Sequence, residues 1–177
     1  QVPERPEGNG VRGRVKRDYT LFILPALGVI IIDQISKIIV SCTLGRYESV
    51  EVIGGFFNLV HVRNRGMVFG LMNRPDIGPG YYFLVFTSIA AVGLIIFWFL
   101  RMKKEDGGLL IGLSLILGGA VGNLIDRLRL REGIDFLDFH IGSYHWPSFN
   151  IADSSITVGA LWLVVNILFF QTREKRT

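Results

Sequence analysis

The sequence is poor in cysteine, histidine and charge, and each shortage argues against a class of protein or chemistry. Cys42 is the one cysteine among 177 residues, so no disulfide can form within the chain, and we expect its side chain to be a small buried apolar group. None of the three histidines stands in an HExxH or comparable spacing, which argues against a zinc peptidase. Charged residues make up 19% of the chain, less than in an ordinary soluble domain.

Apolar residues are abundant in the chain. Half of its residues are hydrophobic and its mean hydropathy is +0.42, which is typical of a membrane protein. Hydropathy predicts four spans, each of about 20 residues and long enough as a helix to cross a hydrocarbon core roughly 30 Å thick. The predicted spans are residues 21–40, 81–100, 109–128 and 151–170.

The segments outside the spans predict the organisation and the orientation. Residues 1–18 are expected to be a disordered lead or an added extension, residues 19–172 a single membrane domain, and residues 173–177 a basic tail. Eleven of the nineteen Lys and Arg residues lie in the lead, in the short loop at 101–108 and in the tail. The positive-inside rule therefore places both termini in the cytoplasm. The basic balance needs no nucleic-acid partner to explain it.

On this topology, the polar side chains of three spans reach the same outer face of the membrane. Ionisable residues inside a membrane are costly, and a cluster of them that faces the bundle interior predicts a functional site. Asp153 is the strongest indication of such a site, because it lies just inside the first turn of the fourth span. The other members are Asp33 and Lys37 in the first span, Asn123, Asp126 and Arg127 at the end of the third, and Asn150 before the fourth.

A purely structural interpretation of these residues stays open. Asp33 and Lys37 stand at i and i+4, where they can neutralise each other on one helix face. Arg127 ends a helix, where an arginine that extends toward the interface is ordinary. Such an ion network would also suit a membrane scaffold or a transport subunit without enzymatic activity. Glycines at 118, 119 and 122 predict close helix packing.

The two outer loops differ in character. Residues 50–71 alternate apolar and polar residues around Gly54-Gly55, which predicts a short hairpin on the outer surface, within a β-cradle at about 44–72. The loop after the third span carries two aspartates and two histidines and leads directly into Asp153. Ser143 beside His145 gives only a weak indication of a serine hydrolase, because no nucleophile-elbow motif surrounds it. Carboxylates with His140 offer a possible site for a divalent ion.

Paired carboxylates are the remaining chemistry. Two aspartates held close together share one proton, so that one activates water while the other protonates the scissile carbonyl. A position at the membrane interface adds desolvation, which raises a carboxyl pKa and retains that proton near neutral pH. Asp126, Asp135 and Asp138 are all near enough in sequence to be the partner of Asp153, and their spacing does not choose among them.

Five motifs in order across the spans resemble a known family, the lipoprotein signal peptidases, also called type II signal peptidases, of bacteria. The resemblance covers essentially all of the chain after the lead, and the third, fourth and fifth motifs together carry most of its specificity. The motifs are DQISK at 33–37, NRGMVF at 64–69, GGAVGNLIDR at 118–127, GIDF at 133–136 and FNIADSSITVG at 149–159.

The resemblance implies a fold, an activity and a location. The fold is a bundle of four transmembrane helices with a small extracytoplasmic β-cradle. The activity is that of an aspartic peptidase of the bacterial cytoplasmic membrane, which removes the signal peptides of diacylglyceryl-modified prolipoproteins by cleaving before the lipidated cysteine. The active site lies near the outer face, among membrane lipids. A monomer without metal or cofactor is expected.

The resemblance also assigns roles to residues. By their motif positions, Asp135 and Asp153 are the expected catalytic pair. The family usually has two alanines where Met67 and Val68 stand, and these larger side chains are expected to narrow the substrate entrance. The expected substrate-binding and supporting residues are Asn64, Gly66, Asn123, Arg127 and Asn150, with Asp33, Lys37 and Asp126 behind them.

Overall fold

Four long helices form the body of the protein. The computed structural model describes residues 19–64, 79–102 and 107–169, and the predicted lead and tail lie outside these ranges. Each helix is long and apolar enough to cross a membrane, as the hydropathy predicted. The helices are α1 (Tyr19–Thr43), α2 (Pro79–Arg101), α3 (Gly107–Leu130) and α4 (Ile151–Phe169).

The outward surface of the bundle is apolar. Leu24 in α1 is 60% exposed, Phe86 in α2 is 70% exposed and Leu161 in α4 is 62% exposed. Such side chains are inward-facing in a soluble bundle, so this surface fits lipid and not water. Cys42 is exposed and not buried as predicted. Val40 is on the buried face of α1, and a residue two positions later lies about 200° around the helix from it.

The interior divides into an apolar end and a polar end. The apolar cluster comes from the starts of α1 and α3 and the ends of α2 and α4, which lie at the same side of the membrane because neighbouring helices run in opposite directions. Phe22 of α1 stacks on Phe99 of α2 with ring centroids 4.0 Å apart. The opposite end of the bundle holds the buried charged side chains of the helices, Asp33, Lys37 and Asp126. The cluster is formed by Phe22, Ile95, Phe99, Leu109, Leu110, Leu113 and Leu163.

A four-stranded antiparallel sheet joins the polar end. Strands β1 (Ser49–Ile53) and β2 (Phe57–Asn64) form the predicted hairpin, and Gly55 in its turn has a φ of 71° that favours glycine. The next loop also forms strands, β3 (Gly133–Ile141) and β4 (Tyr144–His145), which the sequence did not predict. The order is β1-β2-β3-β4. Val62 pairs with Asp135 and Asn64 with Gly133, so the register brings β2 to the Asp135 region.

Close approach of α3 and α4 depends on small residues. A Cβ added to Gly119 would lie well inside van der Waals distance of the Ala152 carbonyl oxygen, and one added to Gly159 would lie 2.8 Å from the Gly112 carbonyl oxygen. These contacts confirm the close packing predicted for the glycines of α3. They also place Ala152, in the first turn of α4 and one residue before Asp153, directly against α3.

We expect Gly119→Ala to lower the free energy of unfolding by about 1–3 kcal/mol, because the new methyl group must push α4 away from α3. Gly93→Ala is the matched control, since a Cβ there has no atom within 4 Å. Thermal unfolding in detergent measures both variants. Equal shifts in the two variants would show that the close contact at Gly119 does not limit packing.

Candidate active site

The start of α4 is built by a reciprocal pair of hydrogen bonds. The Asp153 backbone N–H donates to Asn150 Oδ1 at 3.0 Å, and the Asn150 backbone N–H donates to Asp153 Oδ2 at 3.2 Å. This is the arrangement of a capping box, which satisfies two N–H groups that the helix itself leaves unpaired. A carboxylate in this position is also favoured by the helix dipole. Asp153 is therefore tolerated at the head of a membrane helix.

Asn150 also connects Asp153 to Asp135 on β3. Its Nδ2 donates to Asp135 Oδ1 at 2.8 Å, while its Oδ1 faces the Asp153 backbone. The second oxygen of Asp135 accepts from Asn64 Nδ2 at 2.9 Å. Asn150 is 1% exposed, so this bridge is shielded from water. One buried amide thus holds the two aspartates in a fixed relation.

The environment of Asp135 favours its protonated form. Burial raises the pKa of this carboxyl, the hydrogen bond from Asn64 lowers it, and the negative charge of Asp153 raises it again; together they place the pKa at about 6. The carboxyl therefore keeps its proton to a much higher pH than an ordinary aspartate does.

A buried ion cluster lies behind Asp153. Asn123 Nδ2 donates to Asp153 Oδ1 at 2.8 Å, and Asn123 Oδ1 accepts from Lys37 Nζ at 3.3 Å. Lys37 Nζ lies 2.7 Å from Asp33 Oδ2 and 2.5 Å from Asp126 Oδ2. The i, i+4 ion pair predicted in α1 is therefore present, and it extends into a cluster of one cation and two carboxylates.

The ion cluster also fixes the position of α4. Asp33 Oδ1 accepts a hydrogen bond from the Ala152 backbone N–H at 2.9 Å, so a side chain of α1 satisfies a donor in the first turn of α4. Gln34 supports the cluster by donating to Asp126 Oδ1 at 2.9 Å. Gln34 was not predicted as a site residue, although a polar residue beside Asp33 inside a span was a signal for it.

Asp138 lies in a different environment from Asp135. It accepts hydrogen bonds from Asn58 Nδ2 and His145 Nδ1, each at 3.0 Å. Burial acts to raise the pKa of Asp138, but the hydrogen bonds from His145 and Asn58 outweigh it and hold the pKa below its ordinary value. Three positions apart on a strand, Asp138 and Asp135 point to opposite faces. Of the three candidate partners, Asp135 is the one that Asn150 joins to Asp153.

The remaining predicted residues fall in three places. Arg127 in the last turn of α3 donates from Nη1 to Ser88 Oγ of α2 at 3.2 Å. Ser143 is exposed in the turn between β3 and β4. Gly66, Met67 and Val68 lie outside the described residues, so their expected effect on the substrate entrance is untested. Within 19–64, 79–102 and 107–169, no group of three or more His, Cys, Asp or Glu side chains is placed to hold a metal.

The helices and the site at their polar end define a multi-pass membrane protein with a buried constellation of carboxylates. Residues 25–169 match the family model described as signal peptidase (SPase) II. The chain belongs to the signal peptidase II family, and it is a membrane protease that removes signal peptides.

Curated relatives and solved structures agree with this family. A lipoprotein signal peptidase of Syntrophus aciditrophicus is 45% identical over 155 residues, which are 87% of this chain and 96% of that protein. One from Geobacter sulfurreducens is 39% identical over 162 residues, 92% of this chain and 98% of that protein. A solved structure described as a bacterial membrane enzyme, obtained by the in meso method at 2.3 Å, is 31% identical with a TM-score of 0.79 over 92% of this chain and 96% of that chain.

Proposed function

We propose that this membrane protease removes signal peptides from prolipoproteins with Asp135 and Asp153 as an aspartic dyad. The observation that carries the proposal is the Asn150 bridge, which donates to Asp135 and accepts from the backbone of Asp153. The substrate class follows from the similar proteins, which are lipoprotein signal peptidases. The pair of carboxylates and the raised pKa of Asp135 support the aspartic mechanism.

The reaction needs one proton shared by the two carboxyl groups. The ionised carboxylate accepts a proton from water as the water oxygen bonds to the scissile carbonyl carbon, and the protonated carboxyl gives its proton to the carbonyl oxygen. The C–N bond of the resulting diol then breaks as the leaving nitrogen takes the proton that the base received from water, while the other carboxylate takes a proton from a diol hydroxyl, so that the dyad again holds one shared proton. A pKa of about 6 suits Asp135 to the acid role in the first step. Asp153, at a helix N-terminus, suits the base role.

The proposed supporting residues act through orientation and charge. Asn64, Asn123 and Asn150 donate to the oxygens of the two aspartates, which fixes the direction of both carboxyl groups. Arg127 and Gly66, from the motifs, are proposed to hold the substrate backbone together with these asparagines. The cluster of Asp33, Lys37 and Asp126 is proposed to hold the start of α4 in place.

The finer features of the proposal rest on charge and family likeness. We place the protease, as one domain over residues 19–172, in the cytoplasmic membrane with both termini inside and the site near the outer face, because Lys and Arg concentrate on one side. A diacylglyceryl-modified cysteine would anchor the substrate in the bilayer, where it reaches the site by lateral diffusion. Cleavage before that cysteine, by a monomer surrounded by lipid, completes the proposal.

The test compares two substrates of the purified protein in detergent. We expect cleavage immediately before the modified cysteine of a diacylglyceryl prolipoprotein. The same precursor without lipid should be cleaved at least about tenfold more slowly, which is the effect of losing on the order of one or two apolar contacts. A chelator and the Ser143→Ala variant should leave the rate within about twofold, because neither touches the dyad. Inhibition by the chelator would support metal chemistry, and loss in Ser143→Ala would support a serine nucleophile. No cleavage of either substrate would favour a scaffold.

A further inference from the structure

Strand β2 contains a bulge just before the residue that contacts Asp135. Between two paired positions, β2 advances three residues, from 59 to 62, where β3 advances two, from 137 to 135. An extra residue of this kind bends a strand and changes the direction of the side chains that follow it. Asn64 follows the bulge, and its Nδ2 donates to Asp135 Oδ2 at 2.9 Å. The bulge therefore decides which side chain of β2 reaches Asp135.

His61 lies in the bulge and is 3% exposed. Its Nε2 accepts a hydrogen bond from Arg63 Nε at 2.9 Å, so the ring proton is on Nδ1, which donates to the Leu44 carbonyl oxygen at 2.9 Å. The backbone of His61 is held as well. Its N–H donates to the Glu48 carbonyl at 3.0 Å, and its carbonyl accepts from the Tyr47 N–H at 2.8 Å. The bulge is thus fastened to the segment that follows α1.

Arg63 extends this connection to the start of β3. Its Nη1 lies 3.6 Å from Oε1 of Glu132, a buried residue between α3 and β3. His61 and Arg63 stand two positions apart on one face of β2, and Asn64 points to the opposite face, which is the face of Asp135. Contacts on one face of the strand therefore fix the direction of the amide on the other.

We propose that His61 is a positioning residue, which holds the bulge of β2 against the end of α1 and so directs the Asn64 amide at Asp135. The importance of this contact for cleavage rests on the proposed function. Without the ring nitrogens, the bulge is free to move along β2, and a shift of one residue turns Asn64 to the other face of the sheet. Asp135 then loses the hydrogen bond that orients one of its oxygens.

The experiment measures the pKa of Asp135 without relying on activity. The hydrogen bond from Asn64 lowers this pKa in the wild type, so its loss in His61→Phe should raise the pKa further above 6, by about one pH unit. The pKa is obtained from the free energy of unfolding against pH, compared with Asp135→Asn in the same background. The other charged groups that act on Asp135 stay in place in the variant, and they are Asp153 of α4, Lys37 of α1 and Arg127 of α3.

Three further variants separate the ring contacts from packing. His61→Asn keeps a nitrogen bonded to Cγ that can donate to Leu44, and it should keep the wild-type pKa of Asp135. His61→Met fills the space without that donor and should show the same rise, even if His61→Phe does not fold. His140→Phe is the matched control, because the His140 ring contacts the Gly142 carbonyl within the turn after β3, and it should leave the pKa unchanged. Only His61→Phe and His61→Met should lower kcat/KM about tenfold.

A double-variant cycle tests whether His61 acts through Asn64. In an Asn64→Ala background, which has no amide to direct, His61→Phe should raise the pKa of Asp135 no further and should cost less than twofold in kcat/KM. An unchanged pKa in His61→Phe and His61→Met, an equal rise in His140→Phe, or an equal rise in the Asn64→Ala background would overturn the proposal. Absence of cleavage by the wild type would instead reject the proposed function, and the pKa measurement would still decide the role of His61.

Discussion

Asp135→Asn and Asp153→Asn are each expected to lower kcat for prolipoprotein cleavage by at least about 10³-fold, because each removes a group that must exchange a proton in the proposed reaction. Asparagine keeps the size of the side chain and one acceptor oxygen but cannot ionise. In Asp135→Asn the oxygen can still face Asn150, and Asn64 can turn its amide to accept. The fold should therefore remain while turnover is lost.

Asp138→Asn is the matched control for this pair of substitutions. It lies on the same strand as Asp135, it is equally buried, and its partners are Asn58 and His145 in place of the asparagines of the site. We expect its kcat to stay within about threefold of wild type, as for a substitution away from the reacting groups. Normal turnover in either dyad variant, or a greater loss in Asp138→Asn, would mean that the pair is wrongly assigned.

The pH dependence of protein stability is a second test of the Asp135→Asn variant. The pKa of Asp135 is raised from 3.8 to about 6, so the folded protein binds this proton more strongly than the unfolded chain does. The stabilisation by this proton is fully present below pH 3.8 and is lost as the pH rises through 6. The loss lowers the free energy of unfolding by about 3 kcal/mol. Asp135→Asn removes this slope. The variant should gain stability relative to wild type between pH 4 and pH 7.

The helices could be predicted from sequence because their signal is local. Four long apolar stretches need only length and composition to be recognised, and the hairpin at Gly54-Gly55 has its turn signal between two short alternating strands. Strand β3 was missed because it pairs with β2 across about 70 intervening residues. It also carries Asp135 and Asp138 in its interior, and aspartate is depleted in strands. The hydrogen bonds with β2 stabilise β3 as a strand, although its own residues do not favour one.

The residues of the candidate site could be predicted from the sequence, but the contacts between them could not. Polar residues inside spans stand out individually, and the order of the spans puts Asp33, Asn123 and Asp153 at one face. The choice of Asp135 as partner of Asp153 depended on the family motif, because spacing left three candidates. The Asn150 bridge, which supports that choice in the structure, depends on the pairing of Phe149 with Leu137 of β3.

Lys37→Met is expected to have the largest effect on stability, a loss of about 3–5 kcal/mol, because it leaves two carboxylates in the bundle interior without their cation. Lys37 is 1% exposed and Asp33 is 0% exposed, so water cannot replace the lost charge. Methionine keeps a similar length and fills the same space. Repulsion between Asp33 and Asp126 should also disturb the Ala152 N–H contact and with it the position of Asp153.

Asp126→Asn distinguishes this ion cluster from simple packing, because the sign of its effect should depend on Lys37. In the wild-type background it removes one charged partner of Lys37 and should lower stability, since Lys37 then keeps the Asp33 carboxylate and the neutral Asn123 amide oxygen. In the Lys37→Met background it removes one of two repelling carboxylates and should restore about half of the lost free energy. Denaturant titration in mixed micelles measures all four proteins. If Asp126→Asn lowers stability equally in both backgrounds, the three charges do not act as a unit, and the start of α4 is held by other contacts.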